Sequence, residues 1–348
     1  MDIVLELTDT FLADYAYAYL YPLRPDFYHF PQAATVNAST QNFSSWTWKP
    51  ATRFLQIEPS RAAYMSSLPR DNPYRQLATL FFITWIFGIA VYFLFATLSY
   101  YLIFDKRTLN HPKFITNQIR LEIVQANKSM PFMAFFTAPL FLLEVRGYGK
   151  LYDTTDQGPG LWYNILQFPL FLLFTDFCIY WIHRYLHHPL VYKRLHKPHH
   201  KWIMPTPFAS HAFHPLDGFA QSLPYHIFPF IFPLQKLAYV ALFVFVNFWA
   251  ILIHDGEYLT NNPIVNGAAC HSLHHSRFEV NYGQFFTAFD RLAGTYRTPE
   301  AWMFEKDKKM SQKQWKKESE TVDGFVKEIE GDDERTYGRE KIEAKKNI

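Results

Sequence analysis

Two cysteines, Cys178 and Cys270, are the only thiols in 348 residues, which excludes a disulfide framework. Cys178 lies inside an apolar run and Cys270 beside His271, so both are expected as buried, reduced thiols. A dominant charge is missing too. The 34 Lys and Arg residues nearly balance the 31 Asp and Glu, and no basic stretch is interleaved with exposed aromatics, so a nucleic-acid partner has no support. The N-terminal stretch carries acids early and lacks a basic start followed by an apolar core, which argues against a cleaved signal peptide. Solenoid repeats and low-complexity tracts are also absent.

What is present is greasy: apolar residues make up 49% of the chain and aromatics 19%, which points to a membrane-embedded body with soluble ends. The run "LATLFFITWIFGIAVYFLFATLSYYLIF", Leu77 to Phe104, has no charge and exceeds the roughly 20 residues needed to cross a bilayer. The following "DKRTLNHPKFITNQIRLEIVQANK" reads as a loop rich in Lys and Arg, which places it in the cytosol and the preceding arm in the lumen. "MPFMAFFTAPLFLLEV", Met130 to Val145, is short and carries two prolines, yet a tilted or kinked span would return the chain to the lumen. Leu161 to His183 crosses again. After Asp217, "FAQSLPYHIFPFIFPLQKLAYVALFVFVNFWAILIH" is too long for one span and is broken by Pro224, Pro229 and Pro233, so it reads as a helical hairpin that dips into the membrane and returns.

The expected fold is therefore all-α, a polytopic membrane helical bundle with a cytosolic, histidine-rich di-metal cap. Residues 1–76 form a luminal or interface-lying arm without long periodicity, 77–299 the membrane domain, and 300–348 a charged, solvated cytosolic tail, helical or disordered. Sequons at Asn37 and Asn42 fit a luminal arm. The final "KKNI" places Lys345 and Lys346 where membrane proteins of the endoplasmic reticulum carry a dilysine retrieval signal.

Thirteen of the fifteen histidines fall between His183 and His275. Eight form three boxes: "HRYLH" (His183, His187), "HKPHH" (His196, His199, His200) and "HSLHH" (His271, His274, His275). Spacings of three and four put ring nitrogens on one face of a helical turn, where several can converge on an ion. So many imidazoliums would repel one another unless they stay neutral, and the neutral ring is the form that binds metal. His211 and His214 in "SHAFHPLDG" and His254 in "LIHDGEY" are further candidates. His29 and His111 read as surface or cap residues, His188 follows His187 and points to a different face, and a lone His226 at membrane depth is costly but proves little. A structural zinc site would show cysteines, and the common hydrolytic zinc site a Glu within a two-His helix motif; neither is here. Eight to eleven imidazoles exceed what one ion holds, which points to two ions whose identity ligand type alone leaves open. Asp176, two helical turns before His183, and Asp255 are candidates to accept ring N–H groups, with Asp217 and Asp290 as possible caps or acceptors.

The boxes, their order and the flanking "HKPHHKWIMPTPFASHAFHPLDGFAQSLPYHIFPFIFPLQ" and "IHDGEYLTNNPIVNGAACHSLHH" resemble the fatty acid hydroxylase superfamily of membrane non-haem di-iron oxygenases, and within it the fungal C-5 sterol desaturases. The resemblance covers roughly Leu77 to Pro299. It implies two iron ions, O2 as co-substrate, and electrons from NAD(P)H through cytochrome b5 and its reductase. The implied reaction introduces the C5–C6 double bond into a delta-7 sterol drawn from the bilayer lipids. The implied ligands are the eight box histidines, with His211, His214 and His254 as additions. Superfamily members often have two histidines four apart at the end of the last hairpin; here Ala250 stands where His254 needs its partner, so one histidine of "HAFH" is expected to supply the missing nitrogen. The alternatives are a C4-methyl sterol oxidase, a sphingolipid or fatty acid hydroxylase, and a non-enzymatic membrane metal carrier.

Overall fold

A computed structural model describes residues 1–23, 46–259 and 261–338. His29, Asn37, Asn42, Lys345 and Lys346 lie outside the described residues. Helix α1 (Asp2–Thr8) runs through a π turn (Asp9–Ala13) into α2 (Asp14–Leu20). Next come α3 (Pro73–Leu102), α4 (Gln118–Val145), the two-residue strand β1 (Leu151–Tyr152) and α5 (Leu161–Leu186). The short helices α6 (Pro189–Leu195) and α7 (Lys197–His200) precede the interrupted hairpin of α8 (Pro215–Ile231), β2 (Leu234–Gln235) and α9 (Lys236–Leu252). The chain then forms α10 (Ala268–Arg277), α11 (Ala288–Leu292), α12 (Lys306–Lys309) and α13 (Gln312–Ile329). Among the described residues α3, α4 and α5 are long and apolar enough to cross a membrane.

Local chemistry explains the boundaries. Asn72 accepts hydrogen bonds from the backbone of Tyr74 (3.0 Å) and Arg75 (3.1 Å), and Pro73 opens α3 at the position where a missing N–H costs nothing. At 30 residues α3 is about 45 Å long, enough to span the hydrocarbon and reach beyond it. Helix α4 begins at Gln118, well before the apolar run at Met130, and continues through Pro131 and Pro139. The segment expected as a loop is thus in part the polar start of a helix. Pro169 is tolerated inside α5, and Pro233 falls in the break between α8 and α9. Cys270 is buried and Cys178 half-buried, and both thiols are free.

The chain divides into two compact units. The first comprises residues 1–87, 134–167 and 229–241. The first turns of its N-terminal helices bury Ile3 and Leu5, but from Asp9 onward the polarity is inverted: Asp9 and Asp14 point inward while Phe11, Leu12, Tyr15 and Tyr19 are exposed. Asp14 bridges Arg70 (Nε–Oδ1 3.0 Å) and Arg75 (Nη2–Oδ1 2.6 Å), and Arg75 also reaches Asp9 at 2.8 Å. These acids hide the helix from a hydrophobic-period reading, because what it buries is charge. In the same unit β1 pairs in parallel with β2, Leu151 opposite Leu234.

The second unit comprises residues 88–133, 168–228 and 242–348 and carries every histidine box. Here α13 buries Trp315, Val322 and Val326 on one face, and the two valines pack with Tyr192, Ile203 and Phe278. The charged tail therefore includes a docked amphipathic helix, its apolar residues seven and four apart.

Asp14 is the test of the first unit. Asp14→Ala removes the carboxylate shared by two buried guanidinium groups, leaving Arg70 without an ion pair among the described residues, and is expected to lower stability by about 3–5 kcal/mol. Asp2→Ala, removing a half-exposed pairing with Lys236, is expected to cost under about 1 kcal/mol. Denaturation of the detergent-solubilised variants measures both.

Candidate metal centre

Nine histidines of the second unit converge in two groups. His183, His187, His196, His200 and His274 form one; His199, His254, His271 and His275 form the other. Within each group the nearest ring nitrogens all lie within 4.8 Å of one another. Eight of the nine are buried and His187 is half-buried. The division follows helical geometry. The pairs four apart share a group: His183 with His187, His196 with His200, His271 with His275. The histidine directly before the second member of the last two pairs, His199 or His274, turns through about 100° and joins the other group.

The contacts are close, nitrogen to nitrogen, between rings set steeply to one another. Nε2 of His183 lies 3.1 Å from Nε2 of His196, and Nε2 of His200 lies 3.0 Å from Nε2 of His274. In the second group, Nε2 of His271 is 2.9 Å from that of His254 and 3.2 Å from that of His275, while His254 and His199 are 3.4 Å apart. Two nitrogens bound at right angles about 2.1 Å from one ion would be about 3.0 Å apart.

The opposite ring atoms decide what faces inward. Nδ1 of His183 donates to the Tyr282 carbonyl (2.9 Å), Nδ1 of His274 to the Val280 carbonyl (2.7 Å), and Nδ1 of His254 to the Ala250 carbonyl (2.6 Å). Nδ1 of His196 donates to Asp217 at 2.8 Å. A carbonyl only accepts, so these rings carry their proton on Nδ1 and, when neutral, a lone pair on Nε2. Two such lone pairs at 3.1 Å, on His183 and His196, need a cation between them, a proton or a metal ion. The donor set fits a metal.

His211 and His214 are outside both groups. His211 sits between Ser210 Oγ (Nδ1, 3.0 Å) and Asn247 Oδ1 (Nε2, 3.1 Å), and His214 Nδ1 accepts the Leu216 backbone N–H. The second group is thus assembled around His254 without a nitrogen from "HAFH". His226 lies on α8 against the Phe243 ring, also apart from both groups. A cleft of about 340 Å³ reaches the first group at His187, lined also by Trp181, Arg184, Tyr185, Glu279 and Tyr282.

Residues 168–295, which hold all nine histidines, match the family model described as fatty acid hydroxylase. The chain is 73% identical to a delta(7)-sterol 5(6)-desaturase of Gibberella zeae, over 97% of each chain. It is 58% identical to one of Leptosphaeria maculans over 97% of each, and 56% identical to one of Aspergillus fumigatus over the whole of both. The chain belongs to the delta(7)-sterol 5(6)-desaturase family. No solved structure matches it.

In this member of the desaturase family the ring acceptors are themselves held. Asp290 accepts the backbone N–H groups of Tyr282 and Gly283, both at 2.8 Å, and Asp176 those of Gln284 (2.8 Å) and Phe285 (2.7 Å). The two carboxylates fix the loop whose Val280 and Tyr282 carbonyls orient His274 and His183. Asp176 acts here through the loop, not on a ring. Asp255 accepts from the Glu257 backbone at 2.8 Å and closes the turn after His254. Gly283 is required in that loop, since a Cβ there would collide with the Phe286 carbonyl. Phe278 adopts a left-handed backbone (φ 65°), costly for an aromatic residue, and its ring lies 5.0 Å from that of His200.

Sequence reasoning missed the support from α4. Glu122 accepts from Gln118 (2.7 Å) and from the backbone and hydroxyl of Thr206, and Gln125 donates to the Pro198 carbonyl at 3.0 Å. Three polar residues, Gln118, Glu122 and Gln125, at spacings of four and three ahead of an apolar run were the available signal. The carbonyls of Val280 and Tyr282 leave no trace in a sequence.

Burial, and then the neighbouring rings, hold His199, His200, His271 and His275 well below the ordinary imidazole range, and push His274 down to about 3. With folded values depressed, the unfolded chain takes up protons first, below about pH 6.5. Stability of the metal-free protein is thus full above that pH and is lost as pH falls from about 6.5 toward 3. Chelator-treated protein is expected to melt at a nearly constant temperature from pH 7.5 to about 6.5 and progressively lower from there to pH 5. A melting temperature that does not change across this range would contradict neutral burial.

Proposed function

We propose that the chain is an O2-dependent delta-7 sterol C5(6)-desaturase. The observation that carries this reading is the pair of histidine groups, drawn from all three boxes and His254, in a chain 73% identical to the Gibberella zeae desaturase. Two C–H bonds on adjacent carbons are broken and one C=C bond forms. O2 takes two electrons and two protons from the substrate, two electrons from an external donor and two protons from solvent, and leaves as two waters. The nine grouped histidines would hold a pair of iron ions, which with O2 supply the oxidising strength that an unactivated C–H bond demands.

The remaining chemistry belongs to the chain. The acceptors on Nδ1 keep Nε2 free to bind, and burial keeps bulk water from the groups. The outward apolar faces of α3, α4 and α5 suit a bilayer, from which a sterol would enter. Electrons come from NAD(P)H through cytochrome b5 and its reductase. The protein resides in the endoplasmic reticulum membrane, with the boxes and C-terminus cytosolic and the arm of residues 1–76 luminal or interfacial. The basic segment after α3 supports this orientation, and residues 77–299 serve as the catalytic domain with 300–348 as its cytosolic tail.

Expression in a fungal strain lacking its C5-desaturase is expected to restore C5-desaturated sterols. His199→Ala and His274→Ala, one from each group, are each expected to abolish this while the protein stays in the membrane. Sterol profiling paired with metal analysis reads the outcome. Altered 4-methyl sterols would point to the methyl oxidase, and unchanged sterols with altered metal content to a carrier. Full activity of either variant would contradict ligation.

A further inference from the structure

The helix α7 spans only Lys197–His200, yet it bears His199 of one group and His200 of the other. The Lys197 and His199 carbonyls accept the backbone N–H groups of Lys201 and Trp202, and Gln125 meets that of Pro198, which leaves the His200 and Lys201 carbonyls open at the end of the turn. They are met from far along the chain: Arg335 donates through Nη2 to the His200 carbonyl at 3.0 Å and through Nε to the Lys201 carbonyl at 3.2 Å. Its guanidinium is buried and forms a two-point contact with Glu330, Nη1 to Oε2 at 2.9 Å and Nη2 to Oε1 at 3.0 Å.

Glu330 is in turn fully enclosed. It accepts the Tyr192 hydroxyl at 2.7 Å and lies 3.5 Å from Lys197 Nζ at the start of α7. The Tyr192 ring lies 5.4 Å from His187 and 5.8 Å from His200, centre to centre. The segment carrying Arg335 is tied down just beyond it, where Thr116 donates to the Thr336 carbonyl at 3.1 Å and Gly338 to the Phe114 carbonyl at 3.0 Å. Tyr337 packs with Ile115 and Trp202. One carboxylate–guanidinium pair therefore grips both ends of the turn that feeds both groups. Only the planar fork of arginine can reach two carbonyls and a carboxylate at once.

We propose that Arg335, fixed by Glu330, is a positioning residue for metal binding: the strap after α13 holds His199 and His200 in place and so governs how tightly both ions are retained. The proposal rests on the reading that the two groups hold metal. A buried ion pair is expensive and adds little stability by itself, whereas support of this kind beyond the ligands sets metal affinity.

The test is iron release from the full-length, detergent-purified chain to a chelator. After loading with ferrous iron, Arg335→Met is expected to release iron about tenfold faster than wild type, and Arg335→Lys to recover only part of the loss. Trp315→Leu, which weakens α13 packing at the end remote from the strap and from Tyr192, is expected to lower the melting temperature with release unchanged. Should Arg335→Met not accumulate as folded protein, the isosteric Glu330→Gln provides the same readout, with faster release expected. Wild-type release rates in folded Arg335→Met or Glu330→Gln, even with a lower melting temperature, overturn the proposal. A wild-type chain that retains no iron overturns the metal reading itself, and the proposal with it.

Discussion

Lone pairs on neighbouring imidazoles repel, and the second unit is organised to hold them together nonetheless. Each contact around the histidines acts on that problem at one remove. Backbone carbonyls and Asp217 take the outward ring protons; Asp176 and Asp290 fix the loop that supplies two of those carbonyls; Glu122 and Gln125 pin the segment around α7 from α4. The result is a set of aligned donors whose mutual repulsion is relieved when a cation sits between them. Such a site stores its organisation in the fold, so a ligand ion meets rings already turned toward it.

How much of this was legible depends on where the information sits. The uncharged runs of α3 and α5 declared themselves because a bilayer demands long stretches without charge. The boxes declared themselves through their three- and four-residue spacing, which is the geometry of a helix face written into the chain. The sorting into two groups was present in the same spacing, since neighbours such as His274 and His275 cannot point to one place. His211 looked equal to His254 as a candidate because a lone histidine in a loop has no period; its direction is set by a short turn and by Asn247, distant in sequence.

Other features were hidden by their chemistry. The N-terminal helices bury aspartates against Arg70 and Arg75 and expose aromatics, so beyond Ile3 and Leu5 a search for an apolar inner face meets charge instead. The start of α4 looked like a loop because its polar residues serve internal partners and not solvent. In the tail, abundant lysine and glutamate masked Trp315, Val322 and Val326, whose spacing is that of a docked helix. Arg335 and Glu330 resembled any other charged pair, and only the depth of their burial distinguishes them.

Because His199 and His200 are consecutive residues that serve different groups, as are His274 and His275, the two centres are joined by peptide bonds at two points. Consecutive Cα atoms are held 3.8 Å apart by covalent geometry. The spacing between the centres is therefore a property of bond lengths and helical pitch, insensitive to breathing of the surrounding bundle. Inserting or deleting one residue within either doublet would exchange the partners of whole rings at once.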